Sequence, residues 1–219
     1  PASATNVRGR LRVSTDGALG PYLLIPILPD FLADNPQVKV DLFVRDRIDN
    51  LLSEGVDAAI RFGEPKSNDL DKQLLLTSRV VTCASSAYIE RFGRPSAPGD
   101  ILGNHRCIRM IDATTGKPYA WDFVNATGER QSIAPDCGLT LNDAPSLVAA
   151  ALNGYGIVRL LDFVAKELIL KGELVEVMPE WNHFYWPAFI YTSVDEYKSP
   201  AVEAFKQFAL SRLKRPAAK

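Results

Sequence analysis

Between Arg8 and Gly63 the chain alternates segments of strand character with segments of helical spacing, and this constrains its fold more than any other feature. In "RLRVS" Leu11 and Val13 fall on one face of a first strand, Arg8 to Ser14. Pro21 suits the first turn of a helix, and Leu24, Ile27, Leu28, Phe31 and Leu32 recur at helical spacing across Pro21 to Ala33. "DNP", Asp34 to Pro36, stops that helix. "VKVDLFV", Val38 to Val44, reads as the second strand, Ile48 to Glu54 as a short helix, and "DAAIRFG" as the third strand. A βαβαβ order is the signature of an α/β fold on mostly parallel sheet, because parallel neighbours need a crossover and the helices supply it. Right-handed crossovers bring the strand C-termini to one edge.

The next stretch, "KQLLLTSRVVTCAS", holds no glycine or proline and is too long and too alternating for one buried strand. It reads as a strand that leaves one domain and enters a second. Ser85 or Ser86 caps a helix through Glu90, and "APGDIL" forms a further helical turn. Strands follow at "CIRMI", "YAWDFV", "RQSIA" and "GLTL". "NDAPSLVAAALNG" is a helix with Asn142 or Asp143 as cap, Pro145 in its first turn and Gly154 beyond its end. "YGIVRLL", a helix around Phe163 to Leu170, and "ELVEVM" complete this half. "PAFIYTSV" is strand again, and a final helix starts from Ser199 with Pro200 at its first position. The strand near Arg79 and the segment Trp181 to Trp186 read as two crossings. Residues 8–79 and 184–213 then form one subdomain, with 80–183 inserted as the other.

Composition narrows the function. A chain of 219 residues with 47% hydrophobic content can fill one substantial core or two modest ones. With 25 basic against 26 acidic residues it has no bulk basicity for neutralising phosphates, so nucleic acid is not expected as a direct partner. No segment reaches the roughly 18 apolar residues of a membrane span, and no membrane partner is expected. Cys83, Cys107 and Cys137 are odd in number and far apart, which suits a reducing cytoplasm better than a disulfide framework or a zinc site. "TTGKP" lacks the earlier glycine of a phosphate loop, and "GYG" at Gly154 to Gly156 follows a helix, the wrong order for a dinucleotide fingerprint. His105 and His183 have no metal-ligand spacing around them. No catalytic constellation, metal site or cofactor is expected.

What remains is a concentration of polar groups beyond strand ends, where α/β sheets gather ligands and helix N-termini present unpaired N–H groups. Thr15, Asp16, Gly17, Ala18 and Leu19 sit there in the first half, and Asn142 and Asp143 in the second. Arg61 and Phe62 end the third strand, and Arg109 lies within "CIRMI". Facing halves with such groups would make a small-ligand cleft. Thr15, Asp16, Asn142 and Asp143 can equally serve as helix caps.

The sequence resembles the effector-binding domain of LysR-type transcriptional regulators. The resemblance runs from "GRLRVSTDGALGPYLLIPILPDFLADNPQVKVDL" through "GVDAAIRFGEP" and "TCASSAYIERFGRPSAPGDILGNHRCIRM" to "LTLNDAPSLVAAALNGYGIVRLLDF", "GELVEVMPEW" and "SPAVEAFKQF". It implies two Rossmann-like subdomains joined by two crossover strands, the architecture of type 2 periplasmic binding proteins. It implies a small organic effector, expected to be anionic, held between them by the turn at Thr15 to Leu19, by Arg61 and Phe62, and by Asn142 and Asp143. It also implies a homodimer or tetramer that reaches DNA only through an N-terminal winged helix-turn-helix absent from this chain. Asp16 stands where many relatives carry an apolar residue or proline, and Leu161-Asp162 replaces a common Leu-Pro. A transporter's solute-binding protein shares the architecture and is the alternative. An enzyme would need a nucleophile-base pair or metal set that the sequence does not offer.

Overall fold

The structure is a computed structural model that describes residues 7–45, 55–63, 70–113, 115–194 and 199–214. Strand β1 (Arg8–Thr15) buries Leu11 and Val13 completely. A wide turn of π-helix, Gly20–Leu24, follows, and then helix α1 (Leu28–Asp34). The single helix expected from Pro21 to Ala33 is therefore broken. Pro26 is the cause, since it has no N–H for the ladder and its ring crowds the preceding turn. The Ile25 N–H reaches back to the Gly20 carbonyl at 2.9 Å, and a new helix starts beyond the proline. Leu24 and Phe31 still reach the core, whereas Leu32 is exposed.

Strands β2 (Gln37–Val44) and β3 (Ala58–Phe62) flank β1 in parallel, as the βαβαβ pattern requires. The helix expected over Ile48 to Glu54 lies outside the described residues. Strand β4 (Leu70–Ser85) then runs unbroken for 16 residues. Ser85, rather than Ser86, caps helix α2 (Ser86–Phe92) by accepting the Tyr88 N–H, and α3 (Pro98–Ile101) follows. Strand β5 (Cys107–Met110), the hairpin β6 (Trp121–Val124) and β7 (Arg130–Ile133), and β8 (Leu139–Leu141) come next. Helix α4 (Ala144–Leu152), β9 (Ile157–Leu161), α5 (Asp162–Leu170) and β10 (Leu174–Glu176) complete this stretch. Strand β11 (Tyr185–Ser193) and α6 (Pro200–Leu213), capped by Ser199, close the chain.

Contacts divide the chain into two units, Pro1–Thr77 with Pro187–Lys219, and Ser78–Trp186. The divisions fall inside β4 and β11, at 77/78 and 186/187 rather than at 79/80 and 183/184. In the first unit the strand order is β2-β1-β3-β11, with β11 antiparallel to β3. Phe31 of α1 packs edge-on against Phe205 of α6 at 5.6 Å, so both helices cover the same core. In the second unit the order is β4-β9-β5-β8, with β10 on the other side of β4. Its core gathers Ala84, Tyr88, Ile101, Cys107, Trp121, Phe123 and Ile157.

Glycine is needed at Gly156 for a definite reason. A Cβ there would collide with the Arg106 carbonyl, which accepts the Ile157 N–H at 2.9 Å. "GYG" is thus a helix end followed by a close backbone approach. No helix among the described residues is long and apolar enough to cross a membrane.

Candidate functional site

The parallel register decides where the first polar cluster forms. Thr15 at the end of β1 stands opposite Ile60 of β3, so the residues after both strands leave the sheet side by side. Asp16 to Leu19 come from one strand end, and Arg61 and Phe62 from the other. Thr15 is fully buried, and its methyl group lies under the turn: a Cβ on Gly20 would sit 2.5 Å from it. Glycine at 20 therefore lets the turn rest directly on the strand.

Asp16 folds back into its own turn. Its Oδ1 accepts the N–H groups of Ala18 at 2.9 Å and Leu19 at 2.8 Å, and the Phe62 backbone also favours the charged form of the carboxylate. The Asp16 carbonyl takes the Gly20 N–H at 3.3 Å. The N–H groups expected to hold an anionic guest are thus occupied by a resident carboxylate. Burial pushes the Asp16 carboxyl above its ordinary range, although the N–H bonds and the nearby Arg61 charge pull the other way. Arg61 also donates through Nη2 to the Arg45 carbonyl, which ties the end of β3 to the chain just beyond β2.

In the second unit Asp143 is the cap of α4, accepting the Ser146 N–H at 2.8 Å, and Asn142 is exposed beside it. Arg109 of β5 is paired with Thr140 of β8, close in the sheet to both. Its guanidinium, however, is spent on main-chain carbonyls. Nε donates to Tyr119 at 3.0 Å, Nη1 to Pro135 at 2.9 Å, and Nη2 to Pro118 at 3.1 Å and Tyr119 at 2.7 Å. Those carbonyls flank the β6–β7 hairpin, and Arg109 is only 8% exposed. Arg109, expected among the ligand-binding residues, pins the base of the hairpin. Buried carbonyls need donors, and a planar five-donor group satisfies several at once.

One charged group escaped the sequence reading. Arg159 of β9 sits with its Cζ 4.4 Å from the Phe123 ring centroid and 5.7 Å from that of Phe184. Its Nε and Nη2 are buried with no hydrogen-bond partner among the described residues. Burial pulls its pKa down to about 10, against the opposing charge of Asp122, so it remains a cation at neutral pH. A lone arginine inside the apolar strand "IVRLL" was the available signal.

Comparisons with known proteins agree with this architecture. The profile described as the LysR substrate binding domain matches residues 4–214. An Escherichia coli protein described as an uncharacterized HTH-type transcriptional regulator, YhjC, is 30% identical over 82% of this chain and 59% of its own length. The HTH-type transcriptional repressor PA14_22550 of Pseudomonas aeruginosa is 26% identical over 92% of this chain and 63% of its own. This chain therefore spans about three fifths of those relatives. Among solved structures, CrgA from Neisseria meningitidis, a LysR-type transcriptional regulator, superposes with a TM-score of 0.84 at 26% identity. That match covers 97% of this chain and 71% of CrgA. Full-length AphB of Vibrio cholerae, at 18% identity and a TM-score of 0.82, shares the fold. With a two-unit α/β architecture, polar groups gathered at strand ends and a family profile spanning nearly every residue, the chain belongs to the LysR substrate-binding domain family.

Proposed function

We propose that this chain is the effector-sensing part of a LysR-type transcriptional regulator, working in the cytoplasm and reaching DNA through a separate N-terminal helix-turn-helix domain. The effector is a small organic molecule with an anionic group. The observation that carries the reading is the meeting of Thr15 to Leu19 with Arg61 and Phe62 at adjacent parallel strand ends, where α/β sheets bind ligands. Because Asp16 already fills the turn, the part of the effector facing it presents a hydroxyl, amide or ammonium donor. The anionic group is directed to a basic side chain.

Two copies of the regulator pair so that two DNA-reading heads meet two half-sites, and effector binding changes the geometry of that pair. Helix α4 supports this reading. It buries Ala144, Leu147 and Ala151 in its own unit and leaves Pro145, Ala149 and Leu152 exposed as a stripe. Strand β2, an edge of its sheet, is the second candidate surface.

The test screens small organic acids, amines and hydroxy compounds by thermal shift of this chain. Each hit is then titrated by calorimetry into the wild type and into Arg61→Ala. A charge-assisted hydrogen bond contributes about 1.5–3 kcal/mol, so affinity is expected to fall by about one to two decades. Unchanged affinity in a folded Arg61→Ala variant removes Arg61 from the site. A hit must also change promoter-DNA affinity of the full-length regulator. A regulator indifferent to every hit overturns the sensing role.

A further inference from the structure

Proteins rarely bury a guanidinium without acceptors, because each lost hydrogen bond to water must be replaced. Arg109 shows the ordinary solution in this same unit, with carbonyls around its Nε, Nη1 and Nη2. Arg159 does not follow it. Its two buried, unmatched atoms are Nε and Nη2, which carry the parallel N–H bonds along one side of the guanidinium plane. That edge is the fork that takes a carboxylate through two bonds at once.

The surroundings suit such a guest. Phe123 is fully buried and Phe184 half-buried, and their rings lie 4.4 and 5.7 Å from Cζ, covering part of the cation without supplying an oxygen. Asp122, the acid close enough to act on Arg159, has an exposed side chain and forms no ion pair with it. A cation whose Nε and Nη2 are buried without a partner among the described residues binds an anion there more strongly than a solvated one does.

We propose that Arg159 is an anion-binding residue that takes a carboxylate of a small organic ligand side-on through Nε and Nη2, beside the rings of Phe123 and Phe184. This rests on the effector-sensing reading above and assigns the effector's anionic group to Arg159 rather than to the turn that Asp16 occupies.

The experiment follows the arginine Nε–H resonances of the whole 219-residue chain by nuclear magnetic resonance, with the Arg159 signal assigned from its loss in Arg159→Lys. Phenylacetate is titrated in, with phenylacetamide as the uncharged control. The expected result is a saturable shift of the Arg159 signal with phenylacetate and none with phenylacetamide. Calorimetry with Arg159→Lys, which keeps the charge but loses the fork, is expected to show about tenfold weaker phenylacetate binding. No shift with the acid, or an equal shift with the amide, overturns the proposal. The shift is read on the wild-type chain, and through-bond spectra of that chain assign the Arg159 signal if Arg159→Lys misfolds. Failure here with a full-length regulator that still answers an effector rejects the Arg159 site alone. A regulator indifferent to every effector rejects the sensing role instead.

Discussion

Asp16 illustrates how one side chain can reverse the chemistry of a backbone motif. A turn entering a helix offers N–H groups to anions, yet here the nearest anion is covalently attached and always present. Its folded pKa is raised above the ordinary 3.8. The folded state therefore holds the proton more tightly than the unfolded chain does. The corresponding stability is complete below pH 3.8 and is lost as pH rises through the folded value. Asp16→Asn keeps an acceptor for Ala18 and Leu19 without the buried charge. In urea unfolding at several pH values, it is expected to equal or exceed the wild type at pH 7 and to lose that advantage as pH falls toward about 4. The opposite trend would mean that the N–H bonds and Arg61 outweigh burial.

At the scale of elements, β4 and α6 are joined by an ion pair whose cation is buried and whose acid is partly exposed. Lys206 is 4% exposed, and its Nζ lies 2.7 Å from Asp71 Oδ2. Removing the acid strands an ammonium away from water, which costs about 3–5 kcal/mol, whereas replacing both partners with apolar groups is often neutral. Asp71→Ala is therefore expected to lower the unfolding free energy by about 3 kcal/mol or more. The double variant Asp71→Ala/Lys206→Met is expected to recover most of the loss, to within about 1 kcal/mol of the wild type. Equal destabilisation of both would place the cost in lost packing and not in the stranded charge. A second buried network, in the other unit, shows the same economy. Asn182 Oδ1 accepts from Thr82 N–H and Oγ1, while its Nδ2 donates to Glu176 and Val177, and Glu176 pairs with Arg79 at 2.7 Å. All hydrogen-bonding capacity of the Asn182 amide is used, which fixes β10 against β4.

For the molecule as a whole, the prediction concerns assembly. An amphipathic helix spends one face on its own core, and α4 has apolar residues left over on the other, with Leu152 36% exposed. If this stripe is a pairing surface, the chain sediments as a dimer at high concentration, and Leu152→Glu shifts it to monomer without changing its thermal unfolding. Only monomer for the wild type at every concentration would remove α4 from the assembly. Dimer retained in Leu152→Glu would place the pairing surface elsewhere, with the open edge of β2 as the next candidate.

The elements and their ends were legible in the sequence because they rest on local chemistry. A cap bonds an N–H three residues ahead, a proline acts on its own turn, and a strand shows its buried face every second residue. Ser199 was recognisable on those grounds alone, and the choices between Ser85 and Ser86 and between Asn142 and Asp143 were narrowed to one neighbour. The division of Pro21 to Ala33 at Pro26 was local too, but the helical spacing of the apolar residues on either side concealed it. The fate of the charged groups was not local. Asp16 meets Phe62 and Arg61 only because β3 lies beside β1. Arg109 meets Pro135 only because the β6–β7 hairpin folds over β5. The Nε and Nη2 of Arg159 have no hydrogen-bond partner among the described residues, and the rings of Phe123 and Phe184 lie beside its guanidinium. A charge is governed by whatever stands within a few ångströms of it, and for these three residues those neighbours come from distant parts of the chain, so the tertiary structure alone determined what each charge meets.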